Sequence, residues 1–318
     1  MTTAWLVLLG FLLAGYFVLG GYDYGVQVLL PVVGRDEAGR RAVLAALGPW
    51  FFGNEVWLVA FAGVLFGAFP VLEGTLLSGL HPLMVLLLVG LVLGKAAVQL
   101  RSRAWARLWD VLVVVGGVVP AVAWGLVVGV LLNGVPRGAS GAFGVTWSMV
   151  LDPFVVACGL TSLALFTAHG AVLLSRRLVD GARARALVRP LIGVVVVGLA
   201  VCLVLGWDAV GVVNPGAALV VVGGVLVVLG IGYWRRSFLA TACAAASLVV
   251  LLGVAQYPYV LVSTLDNSMT AAKGAADPAT LAVLSWFGVL VVPLVVAHQW
   301  WSRWAFRGRV DQRTPTYF

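Results

Sequence analysis

Apolar runs of roughly twenty residues or more alternate with short polar breaks along the whole chain, near 4–31, 50–71, 80–100, 108–132, 148–175, 190–207, 211–233, 238–263 and 279–303. A helix needs about 20 apolar residues to cross the hydrocarbon core of a bilayer. The pattern therefore predicts nine transmembrane helices joined by short loops. A transmembrane β-barrel would show strands of about ten residues alternating polar and apolar, and these runs are unbroken, so the expected fold class is all-α. Loops 133–147, 176–189 and 264–278 are the longest and too short for a folded insert, so residues 1–318 are expected to form a single integral membrane domain. The first run, from Trp5 to Pro31, lacks a basic leader and is too long for a signal-peptide core, so it is expected to be retained.

Composition agrees, with 62% hydrophobic and 10% charged residues. The net charge of +8 does not point to nucleic acid, because the cations fall in small clusters between apolar runs. Arg35, Arg40, Arg41, Arg101, Arg103, Arg107, Arg176, Arg177, Arg183, Arg185, Arg189, Arg235, Arg236, Arg303, Arg307, Arg309 and Arg313 all fall in alternate loops or at the C-terminus. Only Arg137 and Lys273 fall on the other side, and Lys95 lies within a span. Cytoplasmic loops carry the excess of Lys and Arg, which places the N-terminus outside and the C-terminus in the cytoplasm. Trp5, Trp147, Trp207, Trp234, Trp300 and Trp304 lie near span ends, where amphipathic rings sit at the interface.

Ionisable groups at membrane depth are costly and are functional candidates by default. Asp23 lies in Gly20-Gly21-Tyr22-Asp23-Tyr24-Gly25, about two turns before the first cytoplasmic loop. Glu55 lies in Gly53-Asn54-Glu55-Val56-Trp57, and Lys95 in the third span is at similar depth. Carboxylates spaced through a bundle, tuned by a nearby cation, can pass protons through hydroxyls and water. The competing reading is an ion-paired packing cluster with Lys95 snorkelling to the interface.

His81, His169 and His298 are expected in packing or interfacial roles, since nothing local to them describes a haem pocket, and no metal site is expected. Asp110 and Asp152 sit at span ends, the latter before Pro153 in a helix-start pattern. Cys158, Cys202 and Cys243 have no CxxC spacing and read as small packing residues. No phosphate-cradling loop or nucleotide fingerprint appears.

The stretch Gly20-Gly21-Tyr22-Asp23-Tyr24-Gly25-Val26, then Leu29-Leu30-Pro31, Gly34-Arg35, Gly48-Pro49 and Gly53-Asn54-Glu55-Val56-Trp57-Leu58, resembles subunit II of cytochrome bd-type quinol oxidases. Phe69-Pro70, Ser78-Gly79, Asp152-Pro153-Phe154, His169-Gly170-Ala171 and Tyr257-Pro258-Tyr259 follow in family order. The resemblance implies a multi-pass protein of the bacterial cytoplasmic membrane, part of an enzyme that oxidises membrane quinol and reduces dioxygen to water. It further implies that b- and d-type haems reside on subunit I, so that this chain binds none itself, is not catalytic alone and has no catalytic residue of its own. The family also leaves room for a small single-span accessory subunit, and for a quinone or lipid filling a crevice between helices.

Asp23 matches a family carboxylate on the proton path, and Glu55 matches a polar position beside it. Three positions depart from the family pattern. Phe52 stands where many members carry an acid, Gly94 where an arginine is common with Lys95 one place on, and Gln99 where a glutamate is common. Glu55, one turn from Phe52, is the expected replacement for the lost acid. A proton-coupled transporter using Asp23, Glu55 and Lys95, and a divergent paralogue without proton conduction, are the alternative readings.

Overall fold

A computed structural model describes residues 1–101 and 106–314. Arg103, one of the cations counted above, lies outside the described residues. Helices run in the order α1 Thr2–Val33, α2 Glu37–Ala45, α3 Trp50–Gly53, α4 Glu55–Ala68, α5 Pro70–Gly79, α6 His81–Leu100, α7 Ala106–Asn133, α8 Trp147–Val150, α9 Pro153–Arg177, α10 Ala182–Leu205, α11 Pro215–Arg235, α12 Phe238–Gln256, α13 Ala271–Gly274 and α14 Pro278–Ala305. Two short strands, β1 Tyr259–Leu261 and β2 Met269–Thr270, pair antiparallel in a loop. Among the described residues nine helical segments are long and apolar enough to cross a membrane, with α3 and α4 forming one of them.

The boundaries follow local chemistry. Asp152 and Asp277 cap α9 and α14 by accepting backbone N–H bonds, each with proline at the first helical position. The second apolar run stops at Phe69, held off helical geometry at φ −136°, ψ 56° by Pro70, which opens α5. The eighth run ends at Gln256 rather than 263, because Tyr259–Leu261 leaves the helix to pair with β2. The sixth begins at Ala182 rather than 190, so Arg183, Arg185 and Arg189 ride on a helical extension.

Helix α1 is the axis of the bundle and packs on α4, α7, α9 and α12. Its segment from Gly20 to Gln27 is wholly buried. Contact with α9 is backbone to backbone, since a Cβ on Gly25 would meet the Phe166 carbonyl and lie 3.0 Å from the Gly170 Cα. Small residues permit this approach where lipid tails give no hydrophobic drive to pack. Helices α10 and α14 lie at the periphery, and most of α14 is exposed. Trp147, Trp207, Trp234, Trp300 and Trp304 are exposed as an interfacial role requires, whereas Trp5 is buried beside Gly288 of α14.

The arginine-bearing loops meet at one end of the bundle. Arg101, almost fully buried, donates to both Glu37 oxygens at 2.9 Å and also to Asp110, which Arg40 engages from the other side. This pins α2 against α6 and α7. Those hydrogen bonds from Arg101 hold the Glu37 carboxyl below the usual carboxylate range. Arg177 donates to the carbonyls of Phe306 and Gly308, and Arg176 to that of Arg236, tying in the ends of α9, α11 and α14. At the opposite end the two longest loops form a single cap. Arg137 donates to Gly141 O at 2.8 Å and to Asn267 O and Oδ1 at 2.7 and 2.9 Å. Arg137, one of the two cations on that side, is thus consumed by loop oxygens.

Candidate functional site

Asp23, Glu55 and Lys95, from α1, α4 and α6, come together. The Lys95 ammonium lies 2.9 Å from Glu55 Oε1 and 3.7 Å from Asp23 Oδ2. It also donates to the Phe51 carbonyl at 2.6 Å and sits 3.5 Å from the centre of the Phe51 ring. Side-chain exposure is 1% for Asp23, 15% for Lys95 and 26% for Glu55, so the cluster is graded from a sealed end to a partly open one. Lys95 is turned into the bundle and does not snorkel. Helix α1 runs on to Val33, which puts Asp23 ten residues, about 15 Å, from its end, deeper than two turns.

Asn54 organises the sealed side. Its Nδ2 lies within reach of Asp23 Oδ2 at 2.9 Å, Tyr22 Oη at 2.8 Å and Leu19 O at 3.3 Å. Gln299 of α14 donates to Asn54 Oδ1 at 3.0 Å, which fixes the amide with its nitrogen toward Asp23. Arg303, one turn along α14, donates to Tyr22 Oη at 2.9 Å. Asp23 Oδ1 and Gln27 Oε1 are buried without a hydrogen-bond partner among the described residues. An orphaned carboxylate oxygen costs about 1–3 kcal/mol in an interior, so this one has room for a further hydrogen-bond partner. Asn54, Tyr22, Gln299 and Arg303 escaped the sequence reading as site residues. The available signal was the pair of polar residues one turn apart on an otherwise lipid-facing α14.

The three departures have distinct structural settings. Gly94 lies against α7, where a Cβ would stand 3.0 Å from Gly116 O and 2.6 Å from Gln27 Oε1, so a side chain there would crowd the contact. The neighbouring Lys95 points instead toward α3 and α4. Phe52 is partly exposed, its ring centre 5.7 Å from the Lys95 ammonium. Gln99 is exposed, one turn beyond Lys95.

The histidines are not brought together. His169 is buried, with Nε2 3.1 Å from the Val18 carbonyl and Nδ1 2.8 Å from the Thr241 hydroxyl. A carbonyl only accepts, so Nε2 carries the hydrogen. His81 and His298 are exposed. Among the described residues no three His, Cys, Asp or Glu side chains converge as metal ligands. A haem does not fit at His169, both of whose nitrogens are engaged within the protein.

Fold and site together define a polytopic helical membrane protein with a buried carboxylate–ammonium cluster toward its arginine-rich end. The sequence matches the family described as cytochrome bd terminal oxidase subunit II over residues 1–306, and the chain belongs to that family. It is accordingly a subunit of a membrane oxidoreductase, and membership implies a subunit I partner. It is 28% identical to cytochrome bd ubiquinol oxidase subunit 2 of Bacillus subtilis over 98% of this chain and 97% of that one. Against cytochrome bd-I ubiquinol oxidase subunit 2 of Escherichia coli K12 it is 29% identical over 97% and 94%. The bd oxidase structure from Geobacillus thermodenitrificans superposes with a TM-score of 0.73 at 17% identity, covering 97% of this chain and 99% of that one, a likeness of fold.

Proposed function

We propose that this chain is the haem-free second subunit of a quinol:oxygen oxidoreductase in a bacterial cytoplasmic membrane, and that Asp23, Glu55 and Lys95 take up protons for the reduction of dioxygen to water. The observation that carries the reading is one ammonium lying within 3.7 Å of two carboxylates drawn from three separate helices. An ion pair kept only for packing has little reason to bury a second carboxylate beside an ammonium that is already paired, and a proton relay does. The arginine-rich end is the cytoplasmic one by the positive-inside rule. Protons then enter at the partly exposed Glu55, pass the Lys95 ammonium and reach the sealed Asp23. Haems of b and d type belong to subunit I in this reading, with membrane quinol as the reductant. A small accessory subunit and a quinone or lipid between helices complete the proposed assembly.

The test is to express the chain with its subunit I, purify through a tag on this chain, and record the reduced-minus-oxidised spectrum and quinol-driven oxygen consumption. Co-purified b and d bands together with a turnover that collapses on Asp23→Asn support the reading. A colourless protein without a partner overturns the assembly, and unchanged turnover in the variant overturns the proton role.

A further inference from the structure

Cys158 and Cys202 are 44 positions apart, yet their sulfurs lie 3.8 Å from each other, in van der Waals contact, with the Thr161 hydroxyl 3.6 Å from the second. They meet because α7, α9 and α10 pack through glycine. A Cβ on Gly129 of α7 would stand 3.0 Å from Cys158 Cβ, and one on Gly198 of α10 would overlap Thr161 of α9. Both thiols are half-buried, and both line an apolar cavity of about 170 Å³ between α7, α9, α10, α11 and α12, with Leu199, Trp207 and Leu251 among its walls. Cys158 is five residues from the start of α9 and Cys202 three from the end of α10, at the end of the bundle opposite the arginine clusters.

We propose that Cys158 and Cys202 form an oxidisable dithiol, closing to an inter-helix disulfide when a lipid-soluble quinone enters the adjoining cavity. A disulfide spans about 2.0 Å between sulfurs, so the pair needs less than about 2 Å of further approach. In the step two S–H bonds break and one S–S bond forms. The two electrons and two protons pass to the quinone, which leaves as the hydroquinone. The bond joins α9, among the most buried of the spans, to the lipid-exposed α10. Cys243, exposed on α12, takes no part.

Membranes holding the assembled complex are treated with duroquinone, whose ring carries no free position for thiol addition, and in parallel with diamide. The chain is then denatured, alkylated with a maleimide and mapped by mass spectrometry without reduction. The expected result is a fall from three labelled cysteines to one, a Cys158–Cys202 cross-linked peptide, and full reversal by dithiothreitol. Cys243→Ser should retain the cross-link, and Cys158→Ser should abolish it. Three labelled cysteines after both oxidants, or oxygen adducts on single sulfurs in place of the cross-link, overturn the dithiol. A cross-link with diamide alone overturns the quinone as its oxidant. The wild-type mapping decides even if a serine variant fails to accumulate.

Discussion

Replacing Glu55 by glutamine separates a relay from an ion pair. The substitution keeps shape and hydrogen bonding and removes the charge 2.9 Å from Lys95. At an effective dielectric of about 20 the gross attraction at that distance is about 6 kcal/mol. Partial exposure and desolvation reduce the net contribution to about 1–3 kcal/mol. A packing pair would therefore show as lower thermal stability, with turnover per haem within about twofold of wild type. A relay carboxylate works by general acid–base transfer, whose loss costs about 10²–10⁴-fold, or about 3–5 kcal/mol on the barrier. The assay is quinol-dependent oxygen uptake by the purified complex, normalised to haem absorbance. We expect Glu55→Gln to lower turnover by about 10²-fold. Adding Phe52→Glu should restore much of it, because position 52 lies one helical turn away with its ring centre 5.7 Å from the same ammonium. Retention of more than half the wild-type rate in Glu55→Gln would refute the relay.

Three further outcomes follow from the packing. Glu37 is held below its ordinary value of 4.5, chiefly by hydrogen bonds from Arg101, so its contribution to stability is full above that value and is lost as pH falls through the lower folded one. Glu37 is half exposed, which keeps the effect within about 1 kcal/mol, and Arg101→Met should flatten this acid limb of a thermal-shift profile. Gly94→Val forces a side chain into the Gly116 backbone at an overpacking cost of about 1–3 kcal/mol or more. The yield of assembled complex should fall, and normal yield would contradict the α6–α7 contact. His169→Phe should leave the haem bands of the complex unchanged, whereas loss of a band would show that His169 ligates iron.

Long apolar runs and alternate arginine clusters carried the nine spans because the bilayer imposes length and charge asymmetry on each span separately. Boundaries at 69, 182 and 256 were harder, since each depends on an event at one position: a proline, a helical extension of the cationic loop, or a strand pairing with residues not yet reached. The charges of the site were legible because an ionised group in hydrocarbon is conspicuous in any sequence. Its polar second partners were not, because Gln299 meets Asn54 from 245 positions further along the chain. The two sulfurs were hidden for the same reason, as no CxxC spacing marks a pair made by neighbouring helices.

The glycine contact between α6 and α7 also constrains how this chain could have diverged. Successive helix positions point about 100° apart, so moving the cation from position 94 to 95 turns it from the α7 side of α6 to the side facing Glu55. A side chain at 94 would crowd the Gly116 backbone in this α6–α7 packing, and glycine at 94 without lysine at 95 would leave Glu55 without its ion-pair partner. The two substitutions are thus mutually dependent. Positions 94, 95 and 116 are therefore expected to change as a group.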